Sequence, residues 1–421
     1  MNEPDIVIIG AGAAGVGAGL ELRERGIAHI IVEAANRVGG RALTATGGLE
    51  RAWDHGCHWL HCATENPLVP WADRLGIRYD NETREAFLAL WNGGFADRAE
   101  IARSSALIDQ AFGALHDAGK AGQDVPVSEV MPDAGDWTPA LRMIFQLLSS
   151  EDPERVSAAA YTDYDDVQAD WPVRSGYGTL IAAMAKGLPV RLGTPAQSVV
   201  QDGPGVRVET PRGTISARAA IVTVSSNVLS SGNIRFGAGP AADLVDAMAD
   251  IPCGACEKVA FTLTDMPAEF RGRLFSTVQA GHAMGAIHFL IIEEGGPMLV
   301  HHIAGTPARE MSRAGPEAMT ALATEHLVTA FGGDITRLIT GTATTNWTRD
   351  PLVRGAYSYA RPGMAQARRD LIGADTGLIG FAGEAFSPGW QATAHGAYQS
   401  GRDVAARLAD RVADRVAGAD D

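Results

Sequence analysis

Four cysteines in 421 residues, Cys57, Cys62, Cys253 and Cys256, are too few to staple a chain of this size. That excludes a disulfide scaffold and fits a reducing compartment. No uninterrupted apolar run approaches the ~18 residues a spanning helix requires, and the stretch from Ala409 to Asp421 is charged. Basic residues are scarce as well: 35 Lys and Arg stand against 50 Asp and Glu, a net charge of −15. Such a surface has no electrostatic footprint for nucleic acid and is repelled by anionic lipid, whereas cationic small molecules are attracted. The opening Met1-Asn2-Glu3-Pro4-Asp5 is acidic where a secretory leader is basic. The expectation is a soluble, cytoplasmic protein with no signal peptide and no membrane span. Internal repeats and low-complexity segments are missing too.

What remains is a folded globular composition, 46% hydrophobic and 20% charged, with length for roughly two to three domains. Glycine is in excess, 49 residues against 21 prolines, which points to tight turns or close backbone approaches to a ligand.

The first thirty-three residues place these glycines. Asp5-Ile6-Val7-Ile8-Ile9 reads as a buried parallel strand, and Gly10-Ala11-Gly12-Ala13-Ala14-Gly15 leads into a helical pattern that Gly26 closes. A second strand, His29 to Val32, ends on Glu33, about twenty positions after the glycines. Each part has a physical role. Glycines let the backbone approach a pyrophosphate, the helix start supplies partial positive charge, and Glu33 can accept hydrogen bonds from ribose hydroxyls. The unit alone is compatible with either FAD or NAD. Asn36-Arg37-Val38-Gly39-Gly40-Arg41 then sets two glycines between two arginines, able to lay N–H groups and guanidinium forks against a second phosphate face.

In this order the motifs resemble the flavin-containing amine oxidase family. More than three hundred residues later, Gly380-Phe381-Ala382-Gly383-Glu384-Ala385 and Ala394-His395-Gly396-Ala397-Tyr398-Gln399-Ser400-Gly401 resemble that family's closing FAD motif. The resemblance implies an α/β fold: a Rossmann-type FAD-binding domain interleaved with an α+β substrate-binding domain of mixed sheet and helices. It implies division into residues 1–80, 170–240 and 345–421 for FAD and 81–169 and 241–344 for substrate. The cofactor contacts it implies are Gly10, Gly12, Ala13, Ala14, Gly15, Glu33, Ala34, Arg37, Gly39, Gly40 and Arg41 at the first end. His58, Trp59, Ala196 and Trp347 follow, then Gly383, Glu384, Thr393 and Ala394 at the other. Between the two ends, residues 80–165 lean helical without a strong strand pattern. Strands return near 189–192, 206–209 and 219–224, and again from Lys258 to Ile303 before a helix around Met319 to Phe331.

Three further segments carry chemistry. Lys258, among apolar neighbours, reads by itself as a lysine snorkelling from a strand end. The resemblance gives it a catalytic role, reaching through a water to the flavin N5. Tyr357 matches one wall of an aromatic slot that orients a neutral amine, and Thr393 stands where monoamine oxidases have the opposing tyrosine. Trp390, one turn away, either helps to replace it or belongs to the core. Ala356 occupies the position of their flavin-linking cysteine, which implies non-covalent FAD.

His55, His58 and His61 recur at spacing three beside Cys57 and Cys62 and could be drawn as a zinc site. Glycine and Trp59 interrupt that run, and Cys253-x-x-Cys256 lacks a second ligand pair, so no metal is expected and the pair reads as buried thiols. His58-Trp59-Leu60-His61 resembles instead the HWxH motif of polyamine oxidases, in which His61 matches a histidine touching a substrate amine. Amino-acid oxidases place an arginine where this chain has Trp59, so a carboxylate clamp has no evident source. The expectation is an FAD-dependent, polyamine-oxidase-like enzyme acting on a small-molecule amine with molecular oxygen, as monomer or homodimer. Another amine, or an isoprenoid or porphyrin in a desaturase or ring oxidase, is the alternative substrate.

Overall fold

The computed structural model describes residues 3–417 apart from 82–86, 92–93, 166, 168, 273–274 and 280–285. Three sheets organise the chain. The first is parallel, in the order Ile379–Phe381, Ala219–Val222, Ile6–Ile9, His29–Val32, Val190–Arg191. Its central strand Ile6–Ile9 is buried along its length, as a parallel strand covered on both faces must be. Part of that cover is the helix Ala13–Glu24, against which the C-terminal helix Ala394–Ala417 lies closely enough to need glycine in both. A Cβ at Gly17 would stand 2.3 Å from Tyr398 O, and one at Gly401 would stand 2.0 Å from Ala14 O. The two sequence ends are thereby locked together beneath one sheet.

A four-stranded sheet follows from the hairpins of Ser198–Asp202, Gly205–Thr210 and Gly213–Ala217, with Arg235–Phe236 added in parallel. The third sheet has seven strands: Ile339–Thr344, Cys256–Leu263, Met298–Ala304, Ala286–Ile292, Phe275–Gln279, Phe87–Trp91 and Gly94–Phe95. Phe87–Trp91 departs from the helical expectation for residues 80–165. Its unbroken Phe-Leu-Ala-Leu-Trp run has no alternation to mark it, and it pairs in parallel with a strand almost two hundred residues away.

Strand alternation gives the seven-stranded sheet two faces. Val259, Phe261, Leu299, Ile303, Ile287 and Phe289 bury against Met319, Ala323 and Leu327 of helix Pro316–Phe331. On the other face Ala260, Val300, Leu290 and Met298 pack with Leu49 and Trp53, and Trp59 rests against them. That second face therefore looks onto the segment from residue 49 to residue 60. Among the described residues no helix is long and apolar enough to cross a membrane.

Candidate active site

The helix Ala13–Glu24 begins without a side-chain cap and without an acidic residue in its first turn, so its leading N–H groups are free to meet an anion. Its turn is tight: Gly10 has φ +105°, and a Cβ at Gly15 would lie 1.9 Å from Gly10 O. Gly12 differs, since a Cβ there would meet nothing nearer than Gly40 Cα at 3.9 Å. The protein's own packing leaves space in front of Gly12, where a pyrophosphate would come close. Glu33 ends the second strand and accepts Ala11 N at 2.7 Å and Ala35 N at 2.8 Å. The loop leading to Ala196 runs beside it, with Gly193 N donating to Ala35 O and Thr194 N to Glu33 O.

Hydrogen bonds then link the separated motifs into one cluster. Gly39 N donates to Ala11 O, and Cys57 N to Arg41 O. Arg37 turns back onto Gly40 O at 2.8 Å, its guanidinium 6.0 Å from the Trp347 ring. Arg41 donates to Ala356 O at 2.5 Å and Glu384 Oε1 at 2.9 Å. Glu384 also accepts Ser358 Oγ at 2.6 Å and Ala392 N at 3.1 Å, while Arg368 bonds Ser358 Oγ and Ala385 O. Burial alone would raise the Glu384 pKa, but Arg41 and Arg368 outweigh it and hold the carboxyl below its usual range.

Lys258 is 7% exposed, and its Nζ donates to Gly56 O at 2.6 Å and Asp54 O at 3.2 Å. Burial lowers its pKa, partly offset by Asp54 and Cys256. The carboxylate of Asp54 holds the same segment from beneath, accepting Thr44 Oγ1, Tyr177 N and a ring nitrogen of His58. Next to Lys258, Glu257 is fully buried and takes four donors, the hydroxyls of Thr345 and Thr348 and the amides of Trp347 and Thr348. Trp347 Nε1 donates to His55 O at 2.9 Å, which draws its loop to the same place. Tyr357 directs its hydroxyl to Leu147 O at the end of helix Thr138–Ser149.

At the start of the C-terminal helix the Thr393 hydroxyl accepts Gly396 N at 3.0 Å and donates to Trp390 O at 2.7 Å, which makes it a helix cap. Trp390 Nε1, Gln391 Oε1 and His395 Nε2 are enclosed with no partner among the described residues. Three orphaned polar atoms at one helix start are what a bound polar ring edge would satisfy. His55, His58 and His61 go to three different partners, Ala45 O, Asp54 and Asp170, and among the described residues no group of three or more His, Cys, Asp or Glu could hold a metal. His61 is bound to Asp170 at 2.8 Å with 43% of its side chain exposed.

A Rossmann-type cradle, an arginine-glycine loop against a buried glutamate and a lysine in the seven-stranded sheet define a flavin-dependent oxidoreductase. The chain belongs to the flavin containing amine oxidoreductase family: residues 78–409 match that family, and residues 8–75 match the NAD(P)-binding Rossmann-like domain. It is 25% identical to polyamine oxidase 2 of Arabidopsis thaliana over 98% of this chain and 90% of that one. It is also 25% identical to human lysine-specific histone demethylase 2, of which it spans 54%. The fold is shared with putrescine oxidase in complex with putrescine (TM-score 0.81, 18% identity, 97% and 99% of the two chains). The same holds for cyclohexylamine oxidase from Brevibacterium oxydans (TM-score 0.81, 19% identity, 98% and 100%). The cofactor is FAD, and the uncapped helix start, the open space at Gly12 and the orphaned atoms of residues 390–395 fit it.

Two expected outcomes follow from this geometry. Gly15→Ala forces a backbone collision that no rotamer relieves, so the variant should lose most of its flavin, read as the flavin-to-protein absorbance ratio after gel filtration. The second concerns acid. Burial above all lowers the pKa of His288 to about 4 and of His301 and His395 to about 3. Between these values and the unfolded value near 6.5 the unfolded chain binds more protons, so stability present above about pH 6.5 is lost as pH falls. Melting temperatures taken from pH 7.5 down to 5 should decline; a flat profile would contradict neutral burial of these rings.

Proposed function

We propose that this protein oxidises a primary or secondary amine carried on a polyamine-like chain, releasing imine or aldehyde, amine and hydrogen peroxide. When bound, FAD supplies the two-electron chemistry, accepting a hydride at N5 from the carbon next to the amine nitrogen and passing electrons to oxygen. The observation that carries the reading is Lys258, buried at the foot of the segment that joins Asp54 to His58. The names of the polyamine and putrescine oxidase relatives support the substrate class.

The residues would divide the remaining work. Glycines 10, 12 and 15, Glu33, Arg37 and Arg41 would hold the dinucleotide, non-covalently because Ala356 offers no thiol. Tyr357, anchored through its hydroxyl, would present a fixed aromatic face to the substrate, and its dry surroundings favour the neutral, reactive amine. Trp59 and Trp390 would narrow the approach, with His61 at its edge. The proposed division of the chain keeps residues 81–169 and 241–344 for substrate. Four free thiols support a cytoplasmic setting.

The test is anaerobic reduction of the bound flavin by a panel of mono-, di- and polyamines, their acetyl forms and L-amino acids, followed by peroxide measurement in air. At least one amine should bleach the flavin and yield peroxide in proportion to aldehyde. Reduction by amino acids alone would overturn the reading.

A further inference from the structure

Lys258, His302 and His288 form one cross-strand row in the seven-stranded sheet, Lys258 opposite His302 and His302 opposite His288. Neighbouring strands lie about 4.8 Å apart, so the row extends about 10 Å from the lysine across the face that looks onto residues 49–60. The two imidazole centroids are 5.2 Å apart. Their same-face neighbours Ala260, Val300 and Leu290 are at most 3% exposed, yet both histidines stay partly open to solvent. The pair is thus the part of this face that a ligand's polar group could reach.

Burial and the Lys258 charge keep both rings neutral, His288 at a pKa of about 4 and His302 well below its ordinary value. His302 Nδ1 is enclosed without a partner among the described residues. A buried orphan N–H is rarer than an orphan lone pair, which assigns the proton to Nε2 and makes His302 a donor from its other edge. Asp54, the described carboxylate that acts on Lys258, is already engaged with Thr44, Tyr177 and His58. A second ammonium on the substrate would meet Lys258 and the His302 ring, with that carboxylate already engaged.

We propose that His302, positioned by His288, determines substrate specificity by donating a hydrogen bond to an oxygen acceptor, hydroxyl or amide carbonyl, on the amine substrate's far end. The same row disfavours a second ammonium there. The proposal rests on the amine-oxidase reading and narrows it to a polyamine-like chain with a single positive charge at the reacting nitrogen.

The experiment compares hexylamine, 5-aminopentanol, N-acetyl-1,3-diaminopropane, 6-aminohexanoate and 1,5-diaminopentane on the holoenzyme and on His302→Leu, His302→Gln and His288→Leu. The wild type should favour the hydroxyl or amide compound over the diamine. His302→Leu should lose about tenfold in kcat/KM for the favoured compound, mainly through KM, as one hydrogen bond implies, and about twofold or less for hexylamine. His302→Gln, which keeps a donor, should recover most of that loss, and His288→Leu should lose part of it. A preference for 6-aminohexanoate would assign the row to an anion and overturn the proposal, as would equal losses on all substrates or the diamine as best wild-type substrate. These last two results leave the amine-oxidase reading standing, whereas failure of every amine to reduce the wild-type flavin removes that reading and the proposal with it. Where His302→Leu does not fold, the wild-type order of hydroxyl, amide and diamine compounds decides.

Discussion

Lys258→Met is expected to slow re-oxidation of the reduced flavin by oxygen about 10²-fold while changing its anaerobic reduction by amine by no more than about threefold. The reasoning begins with the cost of the lysine's position. An ammonium that is 7% exposed, held by two backbone carbonyls with no carboxylate bonded to its Nζ among the described residues, is an expensive group to keep near a strand start. Methionine has similar length and the flexibility to fill the space, so packing is largely retained. What disappears is a fixed positive charge and its N–H donors, which favour transfer of the first electron to oxygen because superoxide is an anion. Stopped-flow measurement of the two half-reactions separates the alternatives. An unchanged oxidative half-reaction would show that Lys258 only ties the segment of Asp54 and Gly56 to the seven-stranded sheet.

The largest loss of stability is expected from Glu384→Ala. Removing this carboxylate leaves the guanidinium of Arg41, with Arg368 close by, without its counter-charge, and removing one partner of a buried pair costs about 3–5 kcal/mol. It also strips acceptors from Ser358, in the segment after Trp347, and from Ala392 N, just before the C-terminal helix. The variant should melt at markedly lower temperature and purify with little flavin. Glu384→Gln keeps an acceptor oxygen without the charge and should fall between the two. If both variants melt like the parent, the Arg41–Glu384 pair contributes little to stability, and the ends of the chain are held together chiefly by the two packed helices.

Much of the first sheet was legible because its signals are local. The strand Ile6–Ile9, the glycine turn, the helix behind it and Glu33 lie within one stretch, and each has a physical signature that does not depend on distant residues. Lys258 stood out for a related reason, as a charge set in an apolar strand. The strand Phe87–Trp91 was hidden because its partner, Phe275–Gln279, lies almost two hundred residues on, and an unbroken apolar run has no period of its own. Thr393 marks another boundary: the resemblance set it where monoamine oxidases carry a tyrosine of the slot, but that its hydroxyl caps the C-terminal helix depends on the turn conformation. The row of His302 and His288 had no signal in the chain, since neither stands in a motif and only strand register sets them beside Lys258.

The sequence by itself determined the class of cofactor and the order in which the chain visits it, because phosphate binding requires glycines, helix starts and acids at short, fixed spacings. The tertiary structure decided which of the remaining polar groups are paired and which strands set them side by side. It engaged Asp54, Glu257 and Glu384 in internal hydrogen bonds and set two neutral imidazoles in cross-strand register with Lys258. That outcome depends on the pairing of strands far apart in the chain, and in a sheet a register shift of one residue would carry the whole row to the opposite face.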